Sequence, residues 1–139
     1  MKRRALVMAA GIALLPPARA TPEALAAAIR SFTGGVPLRE GKVQLEVAPL
    51  VDNGNTVPVV ISVPGAPAAE VAALALFNER NPQNEVLRVD FGPRAATRSV
   101  STRIRLATSQ QLVAVARLAD GSCWSQRVEV VVTLAACIE

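Results

Sequence analysis

The residues able to do covalent chemistry are two cysteines, Cys123 and Cys137, in a chain of 139 residues that has no histidine and no tyrosine. Without histidine there is no Ser-His-Asp triad, no His-ligated zinc or copper site, and no c-type haem on the usual Cys-x-x-Cys-His attachment. The carboxylates are scattered, with no pair spaced for acid–base work or for a metal. No cofactor and no self-contained active site are therefore expected. What remains is thiol chemistry, either a covalent adduct or a disulfide.

Cys137 stands third from the end of the sequence, after the alternating run Val128, Val130, Val132 and the spacer Ala135-Ala136. A thiol there is expected outside the folded body, on a mobile arm of residues 134–139 that includes Ile138 and Glu139. Such an arm can present its sulfur inside another protein's pocket, which is the geometry of a carrier. Glu139 and the terminal carboxylate stand beside the thiol, and negative neighbours raise a thiol's pKa. Cys137 should be a slow nucleophile until a partner deprotonates it.

The competing reading is a disulfide between Cys123 and Cys137, the usual outcome for two cysteines in an exported protein. Distance weighs against it. An extended strand over residues 126–133 separates its ends by about 25 Å, and the arm after it reaches back only about 14 Å. A disulfide needs Cα atoms within about 7 Å. Cys123, in the turn Asp120-Gly121-Ser122-Cys123 before Trp124, suits a packed small hydrophobe. Trp124 suits core or interface packing, and Arg103 and Arg105, on one strand face around Ile104, suit a solvated surface better than a binding patch.

The elements that must position Cys137 are legible from periodicity. Thr21 to Arg30 reads as a short helix, with Thr21 as N-cap, Pro22 at N1, Glu23 in the first turn and Gly34-Gly35 as its stop. Leu25, Ala28 and Ile29 form its apolar face. From Lys42 the pattern turns to period two, with strands expected at 42–47, 57–63, 71–77, 86–91, 100–107, 112–118 and 127–133. The alanines of Val71–Phe77 suit a helix equally well. Asp52-Asn53-Gly54-Asn55, Pro64-Gly65, Asn81-Pro82, Gly92-Pro93 and Asp120-Gly121 supply turns. Pro58 suggests an edge strand or a bulge. About seven short strands with regular turns predict an all-β, immunoglobulin-like sandwich behind a short N-terminal helix.

Residues 1–20 read as a signal peptide rather than as fold. Lys2, Arg3 and Arg4 precede the apolar stretch Ala5–Leu15, which is too short to span a bilayer, and Ala18-Arg19-Ala20 fits signal-peptidase cleavage. Export to the periplasm is expected, by the general or the twin-arginine route. Four of the 15 basic residues and none of the 11 acidic ones lie in this leader, so the remainder carries 11 of each. Neither nucleic acid nor membrane is expected as a partner of the remaining residues 21–139.

Several blocks resemble the SoxY family of sulfur-oxidation carriers. They are Asp52-Asn53-Gly54-Asn55-Thr56-Val57-Pro58-Val59, Asn78-Glu79-Arg80-Asn81-Pro82, and Ser101-Thr102-Arg103-Ile104-Arg105-Leu106-Ala107. Asp120-Gly121, Trp124 and Val130-Val131-Val132-Thr133 resemble the family's last hairpin. The resemblance implies an immunoglobulin-like fold paired with a SoxZ-like subunit, and a C-terminal cysteine, here Cys137, that holds sulfur intermediates during thiosulfate oxidation. It implies loading by the haem protein SoxAX, release of sulfate by SoxB, and no catalysis by the carrier itself. The arm departs from the family's Gly-Gly-Cys-Gly-Gly ending and is similar to a subgroup ending Ala-Ala-Cys-Ile-Glu. Alanine restricts the backbone where glycine does not, and Ile138 and Glu139 add bulk and charge. The alternative is a periplasmic binding or structural module whose cysteine forms a disulfide.

Overall fold

The computed structural model describes residues 21–134. The leader at 1–20 and the arm residues Ala135, Ala136, Cys137, Ile138 and Glu139 lie outside the described residues.

Helix α1 (Pro22–Thr33) starts where its cap dictates. The Thr21 side chain accepts a hydrogen bond from the Ala24 amide at 3.0 Å, Pro22 fills the first turn, and Glu23 faces the helix dipole. Gly34 ends the helix in the left-handed conformation at φ 67°, donating its N–H to the Arg30 carbonyl. That conformation strains any residue with a Cβ. The helix runs one turn further than the pattern predicts, because Phe32 continues the stripe of Leu25 and Ile29 and is buried. Phe32 meets Phe77 edge to face, with ring centroids 6.2 Å apart. The guanidinium groups of Arg88 and Arg117 cover the Phe32 ring, and Arg117 also donates to the Phe32 carbonyl.

Nine strands follow: β1 (Leu38–Glu40), β2 (Gln44–Glu46), β3 (Leu50–Val51), β4 (Val57–Ser62), β5 (Val71–Asn78), β6 (Glu85–Asp90), β7 (Val100–Ile104), β8 (Gln110–Leu118) and β9 (Cys123–Val132). One sheet has the order β1-β9-β8-β5-β6, with β3 also pairing β9, and the other has the order β2-β4-β7. The two pack as the immunoglobulin-like sandwich the pattern predicts. Leu45, Val57, Val59, Ile61, Leu74, Leu76, Ile104 and Leu112 fill the space between them. Helix α1 covers the outer face of the larger sheet, so β5 and β8 are buried on both sides.

That second covering explains the strand the sequence left ambiguous. Val71–Phe77 is a strand, and its alternation is small against large. Leu74 and Leu76 point into the sandwich, while Ala73 and Ala75 lie under the helix beside Phe77. Alanine at those two positions lets the helix approach the sheet closely, and the lost strand propensity is offset by packing on both faces.

One expected turn holds in a different setting, and two other expectations are corrected. Asp52-Asn53-Gly54-Asn55 does turn the chain, but between sheets, because β3 pairs with β9 and β4 pairs with β2 and β7. β4 is central rather than an edge strand. Pro58 is tolerated because β2 pairs only with Val60–Ser62, leaving that side of β4 open at Pro58. The strand expected to start at Arg127 starts at Cys123, and the strand expected to reach Ala107 ends at Ile104.

Candidate functional site

The described chain ends at Leu134, three residues before Cys137, and its last residues are fastened one after another. In β9 the Val131 amide donates to the Pro49 carbonyl at 2.8 Å and the Val132 amide donates to Ser109 Oγ at 2.8 Å. The Thr133 amide donates to the Val51 carbonyl at 3.0 Å, and its hydroxyl donates to the Asp52 carbonyl at 3.1 Å. The Leu134 carbonyl then accepts from the Gly54 amide at 2.7 Å, while the Gly54 carbonyl accepts from the Leu106 amide at 2.8 Å. The loop that switches sheets at Asp52-Asn53-Gly54 is thus a clamp on the end of β9. Its parallel partner β3 is only two residues long, which suffices because the loop after it supplies the remaining bonds.

A second polar group braces the same end of the sandwich. Asn81 is buried; its Oδ1 accepts from the Ala107 amide and from Gln110 Nε2, and its Nδ2 donates to the Arg105 carbonyl. Asn78 Oδ1 accepts from the Asn81 amide, and Asn78 Nδ2 donates to the Gln83 carbonyl. Gln110 Oε1 accepts from the Arg80 amide, and Glu79 accepts from the Gln111 amide. Side chains here do the work of backbone partners in the irregular segments joining β5 to β6 and β7 to β8. Gln110 stands opposite Val130 in the ladder, so this network sits directly behind the end of β9. The sequence contains these residues plainly, but what they grip was not legible from spacing alone.

Cys123 occupies the other end. It is the first residue of β9, fully buried, and a free thiol. Burial pushes its pKa up, opposed in part by the nearby Arg117. The expectation of a packed, unreactive cysteine fits, although it lies in the strand rather than in the turn. Native protein treated with a bulky alkylating reagent is expected to leave Cys123 unmodified until denaturant is added, which peptide mapping would check. Rapid labelling of Cys123 in the folded state would contradict its burial.

The remaining residues singled out by sequence fall away from the arm. Trp124 is half-buried against the core near Cys123, with Lys42 Nζ 4.4 Å and Arg39 Cζ 5.7 Å from its ring. Its Nε1 donates to Ser122 Oγ at 3.0 Å. Asp120, in the turn beneath, is held below the usual carboxylate range by hydrogen bonds from the Ser122 hydroxyl and amide. Arg103 and Arg105 are exposed, and Arg105 lies just past the end of β7, so they do not share one strand. The Ser101–Ala107 block serves the arm's foot through its backbone at Arg105, Leu106 and Ala107. Among the described residues, no cluster of three His, Cys, Asp or Glu is placed to hold a metal ion. No described helix is long and apolar enough to cross a membrane.

Among solved structures, the chain is similar to the sulfur carrier protein SoxY from Chlorobium limicola f thiosulfatophilum. The two share 27% identity over 82% of this chain and 100% of that one, with a TM-score of 0.69. A superoxide reductase (neelaredoxin) variant from Ignicoccus hospitalis shares 26% identity, covering 84% and 91% of the two chains at a TM-score of 0.57. A structure described as a putative superoxide reductase from Thermotoga maritima shares only 17% identity over 70% and 93%, at a TM-score of 0.58, and shows the fold alone. No curated protein matches the chain. The chain is an immunoglobulin-like sandwich of the sulfur-oxidation class, with the Cys123 thiol enclosed in its core. The family model for sulfur oxidation protein SoxY matches residues 29–137, up to Cys137 itself, and the chain belongs to the SoxY family.

Proposed function

We propose that the protein is a periplasmic carrier that holds sulfur intermediates covalently on Cys137 while partner enzymes act on them, paired with a SoxZ-like subunit. The observation that carries this reading is where β9 delivers the chain. Its nine residue steps from Cys123 to Val132 span about 30 Å, while five more residues to Cys137 reach at most about 18 Å. This distance weighs against a bridge from Cys137 to Cys123 and supports the carrier reading over the disulfide. The match of the family model through Cys137 adds to this.

The chemistry asks little of the carrier. A SoxAX-type haem protein would join thiosulfate to the thiol: Cys–SH and S–SO3(2−) form Cys–S–S–SO3(−), releasing one proton and passing two electrons to the haem. A SoxB-type hydrolase would then add water across the terminal S–S bond, releasing sulfate and leaving a persulfide on Cys137. In both steps the catalytic groups belong to the enzyme, and the carrier supplies a tethered sulfur. The chain is read as a carrier and not as an enzyme.

The test is direct. The purified carrier with its SoxZ-like subunit is incubated with thiosulfate and the loading enzyme, and intact masses are taken with and without reductant. One reductant-labile S2O3 addition per chain, mapped to Cys137, is expected. An unmodified chain under conditions that load another SoxY would exclude thiosulfate as cargo. A dimer joined through Cys137 and released by reductant would favour a structural module instead.

A further inference from the structure

Large apolar side chains stand open to solvent at Val36, Leu50, Val131 and Leu134 among the described residues. Three of these four belong to the foot of the arm. Leu50 of β3 is the direct register partner of Val131 in β9, and they are 60% and 52% exposed. Leu134, 59% exposed, is the last residue gripped by the clamp before the chain runs on to Cys137. All three are held by backbone hydrogen bonds and not by burial, so their side chains are displayed on a rigid frame.

Exposed apolar residues scattered singly mean little. A group of them at the root of a short tether is different. From Leu134 to Cys137 the chain extends at most about 11 Å. Any pocket that receives the Cys137 sulfur must bring its mouth down onto this surface, whatever the pocket's chemistry. Each of the three side chains is more than half exposed, and so few residues fall well under the ~800 Å² per partner of a stable interface, which suits an encounter that must release.

We propose that Leu50, Val131 and Leu134 form an apolar collar that docks the pocket mouth of the enzymes acting on Cys137, a mouth that is itself apolar. This rests on the carrier reading above. Docking then comes from burying the collar, while the arm contributes only the sulfur. The collar sets how well an enzyme finds the carrier and leaves the reactivity of the thiol alone.

The test uses the full carrier complex with a SoxAX-type loading enzyme and thiosulfate. The double substitution Leu50→Ser with Val131→Thr removes apolar surface at exposed positions, and threonine keeps the strand preference of valine. The KM for the carrier is expected to rise about ten-fold or more, with the saturated rate unchanged. The reaction of Cys137 with a small aromatic disulfide should match that of the parent, as should the melting temperature. Val36→Ser, near the Cys123 end, should load normally. If the double variant proves unstable, Leu134→Ser, beyond the strand, serves in its place. An unchanged KM overturns the collar, as does an equal effect from Val36→Ser. Loss of the SoxZ-like subunit from the variant would make the patch a subunit interface and overturn it too. A parent carrier that takes no sulfur at all overturns the carrier reading, whereas a loaded one with an unchanged KM overturns the collar alone.

Discussion

Replacing Cys137 with serine is expected to abolish sulfur loading completely, while the sandwich melts at the parent's temperature. An alcohol has neither the thiolate nor the S–S bond chemistry on which the cycle depends. Cys123 is not expected to stand in for it, because it is fully buried at the start of β9 and burial pushes its thiol pKa up. The matched control is Cys123→Ala, which should load normally even if it is less stable. Intact mass after exposure to thiosulfate and the loading enzyme reads both variants. Sulfur found on Cys137→Ser would sink the assignment of Cys137, and loading lost in Cys123→Ala would give the core cysteine a role it is not expected to have.

The second large effect is expected at Asn81. Replacing it with alanine removes the acceptor of the Ala107 amide and Gln110 Nε2 and the donor to the Arg105 carbonyl, the Gln110 bond buried and the other two part-buried. Leaving a buried polar group without a partner costs about 1–3 kcal/mol. Gln110 keeps a second acceptor in the Thr108 carbonyl, so the sum should fall near 3 kcal/mol. For a domain of this size that is a loss of roughly 10 °C or more in melting temperature. Arg103→Ala, on the exposed face of β7, should by contrast stay within about 0.5 kcal/mol. Hydrogen exchange at Ser109 and Val132 should speed up in Asn81→Ala before the rest of β9 is affected, because the network lies behind that end of the strand. A melting temperature within two degrees or so of the parent would show that the asparagine grips nothing essential.

Both experiments bear on how the arm's foot is built. The side-chain network around Asn81 and the backbone clamp at Gly54 adjoin in the connection from β7 to β8, where Arg105 and Ala107 bond Asn81 and Leu106 bonds Gly54. Together they fix the direction in which the chain leaves the body. For the proposed carrier this matters more than overall stability, since whatever follows Leu134 starts from a fixed point.

The local elements are legible from the chain alone. Thr21, Pro22 and Gly34 fix the helix ends because they act within a turn or so of chain, and the alternation of Val57, Val59 and Ile61 fixes a strand because period two needs no partner to be read. The sequence also narrowed the field of chemistry, since a chain without histidine and with two cysteines points to the thiols. Tertiary structure alone decided three things. The alanines of β5 became strand because a helix lies over them, the Asp52-Asn53-Gly54 turn became a clamp because it changes sheets, and Asn81 became a brace because the β5–β6 and β7–β8 connections meet there. Each depends on partners far away in sequence, and spacing along a chain carries no record of which distant backbone groups will need a hydrogen bond.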